Sequence, residues 1–327
     1  MEASGIKNPA PLPPRAHPAP PAPSFRPSYI RLYETGELNR RIEALRGILR
    51  DCVLCPRNCH VNRLEDELGV CKVGHLPVVS AGHPHFGEEP PLVGRGGSGT
   101  IFLTYCNLKC VFCQNYEISH MGVGEEVSTE ELSYMMTGLQ RQGCHNINFV
   151  TPTHQTPQIV EALPRAIEMG LDVPLVYNCG GYEATETIRL LDGIFDIYMP
   201  DIKYGSNEPA RRISRAPDYV ERVKSAVKEM HRQVGDLVTD KNGIAQRGLI
   251  IRHLVMPEGL AGTEEVVRFI AEEVSKDSYV NIMDQYRPCF KAFDYKDISR
   301  RITTEEFTEA VKLAEKAGLR RLAGITV

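Results

Sequence analysis

The chain has 327 residues, 42% of them hydrophobic, enough for about two average domains or one large α/β barrel with an appendage, so its core needs no disulfide staple. Its 38 basic and 42 acidic residues leave a formal charge of −4 with no Lys/Arg-dense run, which argues against a nucleic acid or a membrane surface as the main partner. Nowhere do 18 apolar residues follow one another, and Met1 to Arg26 lacks the basic-then-apolar order of an export signal, so a cytoplasmic protein is expected.

Residues 1–28 hold nine prolines among alanines and few large apolar groups, a composition that cannot offset the entropy of ordering, and are predicted to form a disordered tail. From Thr35 to Leu49 the apolar positions Leu38, Ile42, Leu45, Ile48 and Leu49 recur at helical spacing. That helix opens a loop-rich module, residues 29–97, with four closely spaced cysteines: Cys52, Cys55, Cys59 and Cys71. In a reducing compartment such thiols hold metal more often than they pair. Four thiolates fill a closed site, and the spacing does not choose between zinc and a [4Fe-4S] cluster; zinc, which would pin a loop-rich region with little core, is the expected occupant, with a cluster that relays electrons or touches a substrate as the alternative. His83, His85, Glu88 and Glu89 are read as a surface loop, with metal binding or proton transfer as the alternative.

From residue 98 to 327 short β-rich runs alternate with longer helical segments. Strands are predicted at Thr100 to Tyr105, Asn146 to Thr151, Pro174 to Asn178, Phe195 to Met199, Gly248 to Val255 and Tyr279 to Met283, with a weaker one at Arg321 to Ile325. Helices are predicted near 129–142, 157–169, 183–192, 218–233, 263–276 and 304–317, two of them opened by the capping boxes Ser128/Glu131 and Thr303/Glu306. Such alternation implies parallel strands with right-handed crossovers. The fold class is therefore α/β, either a doubly wound sheet or a full or partial β/α barrel, with its chemistry at the C-terminal strand ends.

The first of these strands runs into Cys106, Cys110 and Cys113, a CxxxCxxC loop. Three thiolates are one short of a closed site and leave a coordination position for a substrate or cofactor. Further on, Asn178 with Gly180 and Gly181 ends the third strand, where small residues permit close backbone approach to a nucleoside or simply make a turn. Asp201 and Lys203, two apart, share the inner face of the fourth strand, and Arg252 on the fifth offers a fork suited to a carboxylate. His253 then points outward as a packing residue, and Gln285-Tyr286 stands at the catalytic rim.

The loop Cys106-Asn107-Leu108-Lys109-Cys110 to Cys113-Gln114-Asn115, with Phe112 before its last cysteine, resembles the radical S-adenosylmethionine superfamily. The segments Thr151-Pro152-Thr153-His154, Tyr198 to Tyr204, Arg252 to Pro257 and Gln285 to Pro288 are similar to proteins related to pyruvate formate-lyase activating enzyme, in a branch with an N-terminal cysteine module. The resemblance implies a partial (β/α)6-type barrel, with a [4Fe-4S] cluster on the three cysteines and S-adenosylmethionine on its open iron. Phe112, Thr151, Thr153, Asn178, Asp201, Lys203 and Arg252 would be the cosubstrate contacts. Where activases carry a Gly-Gly-Glu-type segment for the amino group, this chain has Thr151 to His154, whose carbonyls and hydroxyls can accept the same hydrogen bonds. The implied function is hydrogen abstraction by a 5′-deoxyadenosyl radical, with a glycyl radical enzyme as protein substrate and a flavodoxin or ferredoxin as electron donor. Radical modification of a small metabolite or peptide, and a non-catalytic electron-transfer or sensor protein, are the alternatives.

Overall fold

The computed structural model describes residues 25–323, so the predicted tail lies outside the described residues except for its last four positions. Its strands, in chain order, are β1 (Val78–His85), β2 (Ser98–Leu103), β3 (Glu125–Glu126), β4 (Ile147–Val150), β5 (Leu175–Cys179), β6 (Ile197–Pro200), β7 (Val238–Thr239), β8 (Ala245–Leu254), β9 (Tyr279–Met283) and β10 (Arg321–Ala323). Its α-helices are α1 (Ser28–Glu34), α2 (Glu37–Ile48), α3 (Pro90–Val93), α4 (Thr129–Arg141), α5 (Thr156–Glu168), α6 (Thr185–Leu190), α7 (Asn207–Ser214), α8 (Tyr219–Val234), α9 (Thr263–Phe269) and α10 (Thr304–Lys316).

β2, β4, β5, β6, β8, β9 and β10 lie side by side in that order, every adjacent pair parallel. A doubly wound sheet reverses its strand order at a switch point, and this one never does, so the winding is that of a barrel. The barrel is partial: β10 forms one edge, and the other is extended by β1 and β3, paired antiparallel. All six predicted strands and the weaker seventh are present, and both capping boxes close as the sequence implies. Among the described residues no helix is long and apolar enough to cross a membrane.

Besides the short α3, β3, α7 and β7, which carried no signal in the sequence, two elements depart from the sequence reading. Residues 78–85 form a strand where a loop was expected. Gly82 and Pro84 interrupt its pattern, and the proline is tolerated because β3 pairs only with Val78 and Val79, leaving that side of Pro84 open. Helix α1 has no periodic stripe, only Tyr29, which is wholly buried and donates its hydroxyl to the Val173 carbonyl at 2.9 Å. Behind it α2 packs on α5 and α6, burying Leu38 and Leu45 completely, worth about 1.5–3 kcal/mol each. The cysteine module that follows is thereby held against the barrel wall.

Candidate active site

Tyr105 follows β2 at a φ of 68°, a left-handed turn that swings the chain out of the sheet and directs the next residues across the C-terminal strand ends. Cys106, Cys110 and Cys113 there line a cleft of about 280 Å³. Each sulfur receives one donor: Leu108 N to Cys106 at 3.3 Å, Ser214 Oγ to Cys110 at 2.9 Å and Ser119 Oγ to Cys113 at 3.1 Å. Burial, with the neighbouring cysteines, pushes the Cys106 thiol up to about 12, and burial also raises Cys110, so these groups ionise at neutral pH only against a bound cation. Among the described residues no three His, Cys, Asp or Glu side chains are gathered closely enough to share a single ion. Three thiols lining one cleft, each with its own donor, are a donor set that fits a multi-metal cluster with one metal left open.

The facing wall is a charged network. Arg252 donates through Nε to Asp201 at 2.7 Å and through Nη2 to Asn178 Oδ1 at 2.7 Å, while Lys203 Nζ pairs with the other Asp201 oxygen. Burial disfavours the Asp201 charge, but Arg252 and Lys203 together outweigh it and hold the carboxyl below its usual range. Glu88 and Glu89 approach the same guanidinium at 3.4 and 3.9 Å. Burial, opposed by Arg252, pushes Glu88 up to about 7. The fork expected to take a ligand carboxylate is therefore occupied by Asp201 and Asn178. The surface-loop reading of Glu88 and Glu89 is likewise replaced, because the turn after β1 carries them inward.

Phe112, Thr151, Asn178, Asp201, Lys203 and Arg252 all line the cleft with the three cysteines, as do Met283 and Gln285. Thr153 does not. Its hydroxyl donates to Glu183 Oε1 at 2.6 Å in a buried group with Tyr177. Thr151, at a φ of 62°, is the threonine turned to the cleft. The pair Gly180-Gly181 serves packing within the chain: a Cβ at Gly180 would lie 2.7 Å from Leu108 and one at Gly181 2.4 Å from the Asp201 carbonyl. His253 is an outer packing residue, bonded to the Ile202 carbonyl and Thr263. Tyr286 is buried, its hydroxyl on the Ile298 carbonyl.

The sulfur donors Ser119 and Ser214, and the buried acid Glu183, were not found from sequence, where no spacing ties them to the cysteines. Burial pushes Glu183 up to about 7, although hydrogen bonds from Thr153, Tyr177 and Cys179 pull the other way. The folded chain thus holds this proton more tightly than an unfolded one, whose carboxyl titrates near 4.5. The stability it contributes is complete below that value and is lost as pH rises through 7. Glu183→Gln, which keeps the shape without the charge, is expected to melt higher relative to the parent at pH 8 than at pH 5; melting curves at the two pH values check this, and an unchanged difference contradicts it.

The cysteine module reaches the site through Arg57. Its Nε donates to the Asn107 carbonyl at 2.8 Å and its Nη2 to the Ser214 carbonyl at 3.3 Å, with the guanidinium 5.2 Å from the Tyr182 ring centre. Cys52, Cys55, Cys59 and Cys71 line one separate pocket.

Residues 100–270 match the sequence profile of the Radical SAM superfamily. Over 289 residues, 86% of this chain and 79% of the relative, the sequence is 35% identical to the uncharacterized protein MJ0674 of Methanocaldococcus jannaschii. Among solved structures, the FeFe-hydrogenase maturase HydG from Carboxydothermus hydrogenoformans superposes with a TM-score of 0.48 at 13% identity, covering 68% of this chain. This chain spans about half the length of that maturase, 51%. TYW1 with a lysine-pyruvate adduct gives a TM-score of 0.40 at 10% identity, over 66% of this chain and 73% of that one.

Proposed function

The chain belongs to the Radical SAM superfamily, and on that premise we propose that Cys106, Cys110 and Cys113 hold a [4Fe-4S] cluster against which the cleft binds S-adenosylmethionine. When bound, this pair supplies reductive cleavage of the carbon-sulfur bond to a 5′-deoxyadenosyl radical, which abstracts hydrogen from the substrate. The observation that carries the reading is the cleft itself: three thiols on one wall, each with a donor, opposite Asn178, Asp201 and Lys203 on the other.

In this reading the chain's own residues divide the work by charge. Asp201, held ionised by Arg252 and Lys203, accepts from the cosubstrate's ammonium, and Lys203 donates to its carboxylate. Thr151 adds an acceptor at the end of β4, and Phe112 offers an apolar face, held 5.9 Å from the Tyr286 ring. Ser119 and Ser214 fix the sulfurs and favour the reduced, more negative state of the cluster.

We assign the substrate as a backbone glycine of a partner enzyme, making the protein an activase, with a flavodoxin or ferredoxin as electron donor and the cytoplasm as its compartment. Support comes from the segments after β2 and β9: they meet where the His120 and Phe290 rings lie 4.6 Å apart, and they carry Met121 and Phe293, each about two-thirds exposed. A polypeptide can cover such side chains where a small metabolite leaves them wet. The test incubates reduced, reconstituted protein and S-adenosylmethionine with a panel of unactivated glycyl radical enzymes. A glycyl radical resonance on one of them is expected; consumption of S-adenosylmethionine with no such resonance on any would contradict the activase assignment.

A further inference from the structure

Beside the cluster loop, the pocket lined by Cys52, Cys55, Cys59 and Cys71 is completed by two residues that lack the partners burial demands. Arg63 is 1% exposed, yet its guanidinium donates only to the Gly74 carbonyl, at 3.0 and 3.3 Å, and among the described residues it meets no carboxylate. A guanidinium taken out of water requires a counter-charge. His154, also 1% exposed, gives Nε2–H to the Thr104 carbonyl at 2.8 Å, which leaves Nδ1 as a lone pair with no partner. It is contributed by the barrel, four residues after β4.

The backbone is shaped around these sulfurs. Asn58, His60 and Lys72 take positive φ between and after the cysteines, and Val70 N donates to Cys59 Sγ at 3.4 Å. At Gly69 a Cβ would stand 2.8 Å from that same sulfur, so only glycine leaves the cysteine its place. Tyr105, the residue before the active-site cysteines, packs on the cluster of Cys71, Val73 and Val78.

We propose that this pocket binds a second iron-sulfur cluster through Cys52, Cys55, Cys59 and Cys71, with Arg63 as its buried counter-ion and His154 Nδ1 turned towards it. Binding releases four protons as four thiols become thiolates, and two ferrous ions, two ferric ions and four sulfides assemble the doubly positive core with no net redox change. Four thiolates around a doubly positive core leave a net negative charge, the partner Arg63 lacks. A zinc ion draws four ligands onto one atom. A cluster takes each on a separate iron, and the metal content measured below separates the two. The inference adds to the reading above but uses other ligands, so the two fail separately.

The full chain is reconstituted anaerobically with ferrous and ferric iron and sulfide, as the parent and as the triple variant Cys106→Ala, Cys110→Ala, Cys113→Ala. The expected result is about eight iron per chain in the parent and about four in the variant, whose reduced form shows the electron paramagnetic resonance of a [4Fe-4S] cluster. Adding Cys55→Ala and Cys71→Ala removes that remainder. In the triple variant, His154→Ala is expected to keep the iron and shift the resonance. No iron in the triple variant, or one zinc per chain in its place, overturns the second cluster while leaving the first intact; an unshifted resonance removes His154 from the site. Iron retained equally by parent and triple variant sinks the active-site cluster instead and leaves this one standing.

Discussion

Cys110→Ala protein, reconstituted anaerobically, is expected to lose the active-site cluster and to form no 5′-deoxyadenosine above the enzyme-free control. Cys110 is buried, its sulfur held by Ser214 and facing Lys203, so nothing else in the cleft can take over its place on the metal. The contrast is Ser214→Ala, which removes only the donor. Its cluster should assemble with full iron but a more negative reduction potential, because one hydrogen bond stabilising charge on sulfur is gone. Potentiometry of the variant against the parent reads this, and a potential that stays put would mean that the contact does not persist in the loaded protein.

Arg252→Met is expected to destabilise the fold by about 3–5 kcal/mol, the ordinary consequence of removing one partner from a buried ionic network. The guanidinium bonds Asp201 and Asn178 and faces Glu88 and Glu89. Without it the two glutamates share a buried corner with no cation. Affinity for S-adenosylmethionine should fall as well, by tenfold or more on the order of one charge-assisted hydrogen bond, since Asp201 and Asn178 lose their orientation. Arg252→Lys restores the charge but not the fork and should recover part of the stability and little of the affinity. Equal melting temperatures for parent and Arg252→Met would show that the network contributes nothing to the fold.

What the sequence made legible follows a physical pattern. Cys106, Cys110 and Cys113 had to be close because they are close along the chain, and the same holds for Asp201 and Lys203, which pair two positions apart just beyond the end of β6. The Ser128 and Thr303 caps were readable because both halves of a capping box lie within four residues. The unreadable features join distant segments. Ser214 reaches Cys110 across 104 positions, and Glu88 reaches Arg252 across 164, with no local periodicity to announce either. Thr153 was misplaced for a related reason: the chain turns at Thr151, and the side chain two positions on enters the core towards Glu183 and leaves the cleft to Thr151.

Reductive cleavage of S-adenosylmethionine on a cluster held by Cys106, Cys110 and Cys113 is the step on which every role proposed for the cleft depends. Its most direct measurement is 5′-deoxyadenosine production by the reconstituted parent protein given S-adenosylmethionine and a strong one-electron reductant, by chromatography with mass detection. The account predicts product that requires the reductant and disappears with Cys106→Ala. Protein with a full complement of iron that yields none, with or without the glycyl radical enzymes as substrate, would contradict it.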